Sequence, residues 1–330
     1  GEFDENGRPE LVEEAVDLAL YAVVPGPTGA HNWHPMAFNP DTGLVYIPVN
    51  EIPFFYDKTR NVEDSKSIWN IGYDAAAGWP VEYPAGTLDA VRDLDGGSLL
   101  AWDPVKAEPR WAVPFPLPLN GGVLSTQAGL VFQGNKFGEF VAYDAETGER
   151  LWADKLVGNA AAAPMTYEID GEQYLSVLSG WGSVSSLIAG FTYGEAKSKE
   201  PARVITFKLG GDGDMPAALV DNVVRTPQSP MFGEPDQHQL GMQRYAESCH
   251  FCHGAFAVGG GVVPDLRWSA LAGNEQAWDL VVREGALEKQ GMVSFAGRLS
   301  KEDTDAIRAY VVQQAWLAVA NGDALPPQDG

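Results

Sequence analysis

Cysteine is nearly absent: the 330 residues hold two, Cys249 and Cys252. They stand three positions apart, which excludes a framework of widely spaced disulfides. Long apolar runs are absent as well, so the sequence offers no membrane-spanning helix. Basic residues are outnumbered, 22 Lys and Arg against 45 Asp and Glu, for a formal net charge of −23. Phosphate recognition needs clustered cations, so nucleic-acid binding is excluded. An acidic surface favours solubility and steers basic partners. The opening residues Gly1-Glu2-Phe3-Asp4 form neither a secretory leader nor an initiator Met. The sequence is therefore read as a mature form or as part of something longer.

What is present reads first as β-structure. Residues 1–205 carry short apolar runs separated by turn residues. Examples are 43–48, 129–134, 139–144 and 172–178. Many short strands at even spacing indicate a sandwich, barrel or propeller. A repeat decides. Ala101-Trp102-Asp103 and Ala142-Tyr143-Asp144 are each followed by seven variable residues and then by Trp111 or Trp152. A strand-rich unit recurring after roughly 40 residues is the mark of a propeller blade. The two tryptophans are expected to dock blades together.

Residues 206–236 are rich in Gly and Pro and read as an interdomain linker. Residues 237–330 read as a small helical domain. An apolar face is expected at Leu240, Tyr245 and Cys249. Ser300 and Asp303 match a capping box, and Ile307, Tyr310 and Val311 follow helical spacing.

Cys249-His250-Phe251-Cys252-His253 is a C-x-x-C-H motif. On a helix, residues i and i+3 share a face, so both thiols can add to the vinyl groups of one porphyrin. His253 then stands where an imidazole can ligate the iron. A zinc site would need further ligands, and a thioredoxin-like dithiol a βαβ context. The sixth ligand is assigned to Met292, in the loop before the final helix, over Met242, His238 and His250. A thioether raises the haem potential. His/Met ligation saturates the iron, so this domain is expected to carry single electrons.

The repeat, the stretch from Gly26 to Trp33, residues 120–126, 130–134 and 178–182, and the C-terminal motif with Pro264-Asp265-Leu266-Arg267 together resemble the quinohaemoprotein alcohol dehydrogenases. The resemblance implies an eight-bladed propeller fused to a cytochrome c. It implies pyrroloquinoline quinone (PQQ) near the propeller axis beside calcium, with alcohol oxidised to aldehyde in the periplasm. Asn32 and Trp33 match the pair that contacts the quinone. Trp181, Gly182 and Val184 match a segment near its carboxylates. Cys249, Cys252, His253 and Met292 match the haem c set.

The sequence departs from the pattern in two ways. Leu119 stands where the family usually has Trp. The catalytic Asp, the calcium ligands, an adjacent-cysteine disulfide and a quinone-contacting Lys belong to the family's first half and are not found. The fold class expected is thus a partial all-β propeller, from an eight-bladed PQQ type, followed by a small all-α cytochrome c domain. Without the absent half, this chain is expected to be inactive alone. The expected partners are an alcohol, a periplasmic electron acceptor (a cytochrome, copper protein or quinone) and the N-terminal propeller half. The competing reading is a non-enzymatic c-type electron carrier with a propeller scaffold.

Overall fold

The computed structural model describes residues 4–8, 20–57, 96–180, 202–217, 225–259 and 263–322. In chain order the strands are β1 (Leu20–Val23), β2 (Ala37–Asn39), β3 (Leu44–Glu51), β4 (Phe54–Asp57), β5 (Gly96–Asp103), β6 (Glu108–Phe115), β7 (Val123–Ser125), β8 (Leu130–Gly134), β9 (Glu139–Asp144), β10 (Arg150–Lys155), β11 (Met165–Ile169), β12 (Glu172–Ser179) and β13 (Arg203–Lys208). The helices are α1 (Pro235–Ser248), α2 (His250–His253), α3 (Glu275–Val282) and α4 (Lys301–Ala320).

The strands form successive antiparallel sheets: β1-β4, β2-β3-β5-β6, β7-β8-β9-β10 and β11-β12-β13. The sequence repeat has a geometric cause. In both four-stranded sheets the outer hairpin carries a β-bulge just before its tryptophan. Trp111 pairs with Ala101 while Pro109 pairs with Trp102. Trp152 pairs with Ala142 while Arg150 pairs with Tyr143. One extra residue, Arg110 or Leu151, turns the strand. The turn between the strands is set by Asp103 or Asp144, whose Oδ1 accepts backbone N–H groups two and three residues on.

The tryptophans do dock sheets. Trp111 Nε1 donates to Ala145 O at 3.1 Å in the neighbouring sheet, and Tyr46 Oη donates to the same carbonyl at 2.9 Å. A Cβ on Gly148 would lie 2.7 Å from the Trp111 ring, so that turn lies directly against the indole. Trp152 meets Phe207 of β13 edge-on, ring centroids 5.3 Å apart. Two apolar cores result: Leu44, Tyr46, Leu99, Val131 and Tyr143 between the four-stranded sheets, and Phe132, Phe140 and Val177 toward the last sheet.

The last sheet has one covered face and one open face. Leu175, Ile205 and Phe207 pack inward. Met165, Tyr167, Ile169, Leu178 and Val204 are each more than a third exposed. Leu178 stands opposite Val204, and Tyr167 stacks on Tyr174 at 5.7 Å.

The linker read from sequence at 206–236 is shorter in the structure. β13 runs to Lys208 in full register with β12, and α1 starts at Pro235. The stretch before α1 is fastened to the helical part. Trp316 Nε1 donates to Ser229 O at 2.9 Å, His238 donates to Phe232 O at 2.8 Å, and the Arg308 guanidinium lies 4.3 Å over the Phe232 ring.

In the helical part, α1 crosses α4 at Gly241, where a Cβ would come within 2.0 Å of Ala306 O. The buried side of α1 is Gly241, Tyr245 and Cys249; Leu240, expected there, is only half-buried. The contact works because glycine lets the helix backbones touch. The capping box at Ser300 and Asp303 is present in both directions. Ile307, Tyr310 and Val311 are buried against Tyr245, Trp278 and Phe295. Among the described residues no helix is long and apolar enough to cross a membrane.

Candidate cofactor sites

Cys249 ends α1 and begins α2. The hydrogen bonds from Cys249 N–H to Tyr245 O and from His253 N–H to Cys249 O, at 2.8 and 2.9 Å, carry the helix across the junction. Cys249 and Cys252 therefore stand one helical turn apart. Cys249 is buried and Cys252 exposed; burial pushes the Cys249 thiol up to about 12.

His253 is buried and points Nδ1 at Pro264 O, 2.9 Å away. A carbonyl can only accept, so Nδ1 carries the proton and Nε2 keeps its lone pair for a metal. Such a second partner is what fixes ligating histidines. Tyr245 Oη donates to Gly254 O at 2.7 Å and pins the turn that follows. The donor set fits a covalently attached haem.

Met292 follows the left-handed residue Gly291 and hangs from Leu287 O by its N–H. It packs at the margin of the core that Cys249 enters. Its rivals are engaged otherwise. His238 donates to Phe232 O and accepts from Gln313. His250 Nδ1 donates to Ala246 O. Met242 packs on the same core and, with His238, Phe256, Tyr310 and Gln313, lines a groove of about 350 Å³; none of Cys249, Cys252, His253 or Met292 lines it.

Asn32 and Trp33 lie between β1 and β2. Asn32 Nδ2 donates to Thr28 O at 2.9 Å, which closes the loop. The Trp33 indole is 52 % exposed and stacks on His34, centroids 4.9 Å apart. His34 is buried. That burial, reinforced by the charges of His31 and Lys136, lowers its pKa to about 4, so the imidazole is a neutral platform for the indole. His31 donates to Pro48 O. An open indole face beside a free carbonyl-type acceptor on Asn32 suits a flat polar ring such as PQQ. Leu119, the first departure from the pattern, is buried with φ +59° and donates its N–H to Asn50. Trp181, Gly182 and Val184 lie outside the described residues. Among the described residues no group of three or more His, Cys, Asp or Glu could hold a metal ion.

Sequence reasoning passed over the surroundings of His253. The run Pro264-Asp265-Leu266-Arg267 was legible as a matching stretch but carried no role. Its Pro-Asp step is what places one carbonyl on the imidazole and a carboxylate next to it.

Residues 78–175 match the family model for the glucose/ethanol/alcohol dehydrogenase beta-propeller domain. Residues 236–311 match that for cytochrome C oxidase, cbb3-type, subunit III. Quinohemoprotein alcohol dehydrogenase ADH IIB of Pseudomonas putida is 41 % identical over 88 % of this chain. The chain is a homologue of the quinohaemoprotein alcohol dehydrogenases. The solved structure of the ADHIIG enzyme from Pseudomonas putida HK5 superposes with a TM-score of 0.79 at 34 % identity over 97 % of this chain, and that of the Comamonas testosteroni enzyme with 0.71 over 96 %. The chain spans less than half of these homologues: 41 % of ADH IIB and 47 % and 45 % of the two solved chains. Like them it pairs a PQQ-type propeller domain with a cytochrome c domain, which implies PQQ and haem c.

Proposed function

We propose that this chain is the C-terminal part of a periplasmic PQQ-dependent alcohol dehydrogenase that oxidises alcohols to aldehydes and passes the electrons to a covalent haem c. Cys249 and Cys252 would attach the haem, and His253 and Met292 would ligate its iron. The observation that carries this reading is the Nδ1–H of His253 committed to Pro264 O inside a C-x-x-C-H helix. Asn32 and Trp33 would contact the quinone, together with Trp181, Gly182 and Val184. PQQ supplies a two-electron acceptor; the haem relays electrons singly to a cytochrome, copper protein or quinone. Calcium ligands and the catalytic Asp come from the other half of the propeller. The open face of the β11-β12-β13 sheet supports that partner, because Met165, Tyr167, Ile169, Leu178 and Val204 stand exposed on it.

The chain is produced in a host that matures c-type cytochromes, and its reduced-minus-oxidised spectrum is recorded before and after PQQ, calcium and a primary alcohol. Covalent haem without reduction by alcohol is the expected result. Absence of covalent haem would sink the reading of the helical domain. Reduction by alcohol would mean that this part is competent by itself. Met292→Ala should keep the covalent haem and lower its potential; an unchanged potential would remove Met292 from the axial set.

A further inference from the structure

We propose that Asp265 and Arg267 exert opposing, mutually masking effects on the reduction potential of the haem carried by this domain. The inference rests on the haem reading above.

Asp265 directly follows Pro264, whose carbonyl receives the His253 Nδ1–H. The carboxylate is gripped by a single residue. Arg267 gives Oδ1 its backbone N–H at 3.1 Å and its Nε at 3.0 Å, and gives Oδ2 its Nη2 at 2.8 Å. The guanidinium also lies 5.0 Å over the Trp268 ring. Both side chains are mostly shielded, 12 % and 19 % exposed, so water and salt screen them weakly. Asp265 is joined by one peptide bond to the carbonyl that meets the His253 ring, which keeps the pair at the edge of this site.

The electrostatics follow from charge alone. Ferric haem bears one more positive charge than ferrous haem, and reduction adds one electron with no bond made or broken. A carboxylate beside the proximal histidine favours the ferric form; a guanidinium favours the ferrous form. Paired at 2.8 Å, the two charges oppose one another. Losing either partner unmasks the other, so the two single variants move the potential in opposite directions. A pair that merely stapled the loop would cost stability when broken and would leave the potential alone.

The test is potentiometric titration of the haem-loaded full chain as wild type, Asp265→Asn, Arg267→Gln and the double variant. Asp265→Asn is expected to shift the haem equilibrium with a reference couple about tenfold toward the ferrous form, which for one electron is about 59 mV upward. Arg267→Gln is expected to shift it about tenfold toward the ferric form, and the double variant to return near wild type. Asparagine keeps the oxygen that caps the turn, so Asp265→Asn decides the question even if Arg267→Gln does not mature. Two single variants indistinguishable from wild type, or shifted in the same direction, overturn the inference and leave the haem reading standing. A wild-type chain without covalent haem overturns both.

Discussion

Arg244 of α1 reaches Asp303 at the start of α4, with Nε 2.8 Å from Oδ1, and so ties one helix to the capping residue of the other. Its Nη1 meets Glu247 at 2.7 Å, and Gln243 serves the other Glu247 oxygen. Glu247 is fully buried. Arg244→Ala would strand that carboxylate without its cation. The expected loss is about 3–5 kcal/mol, read as a lower denaturation midpoint in the haem-loaded chain. A change under about 1 kcal/mol would mean that the network contributes little beyond a surface pair.

Gly241→Ala is predicted to push α1 off α4, because the new methyl would overlap Ala306 O. Overpacking of this kind costs about 1–3 kcal/mol where neighbours can move, and here the neighbour is helix backbone. Guanidinium unfolding of the two haem-loaded proteins checks it; equal midpoints would mean that the helices cross elsewhere.

Trp111→Phe removes the hydrogen bond to Ala145 O and keeps most of the packing on Gly148. It should cost about 1 kcal/mol. Trp111→Ala should cost about 3–5 kcal/mol. The ratio distinguishes a docking role that rests on area from one that rests on the indole N–H, and thermal melts of the pair give it directly.

His34 predicts a pH dependence. Its pKa falls from 6.5 to about 4 on folding, through burial first. The unfolded chain therefore takes up a proton before the folded one does. The contribution to stability is complete above pH 6.5 and is lost as pH falls toward about 4. His34→Phe keeps a ring beneath Trp33 and does not titrate. Urea unfolding at pH 7.5 and 5 should show a smaller acid loss in the variant than in wild type, and parallel losses would place the titration elsewhere.

Much of this arrangement was legible in the sequence because it is local. The C-x-x-C-H run, the capping box at Ser300 and the Ala-aromatic-Asp repeat each express a short-range geometry, whether one helical turn or one bulged hairpin. Less legible was what depends on two distant segments meeting. Gly241 gives no apolar signal, so Leu240 took its place in the expected stripe. Asp303 reads from the sequence only as a helix cap, and nothing local links it to Arg244, 59 positions away. The linker looked continuous because Gly and Pro mark a lack of regular structure, and a segment can lack it and still be held in place by Trp316 and Arg308.

That anchored segment gives the helical domain an earlier beginning than its first helix. Met215 still packs on the core toward the last sheet, whereas Ser229 and Phe232 are held by Trp316 and Arg308 of α4. A helical domain cut at Pro235 would therefore lose two of the partners on which α4 rests, and one prepared by itself should begin before Ser229.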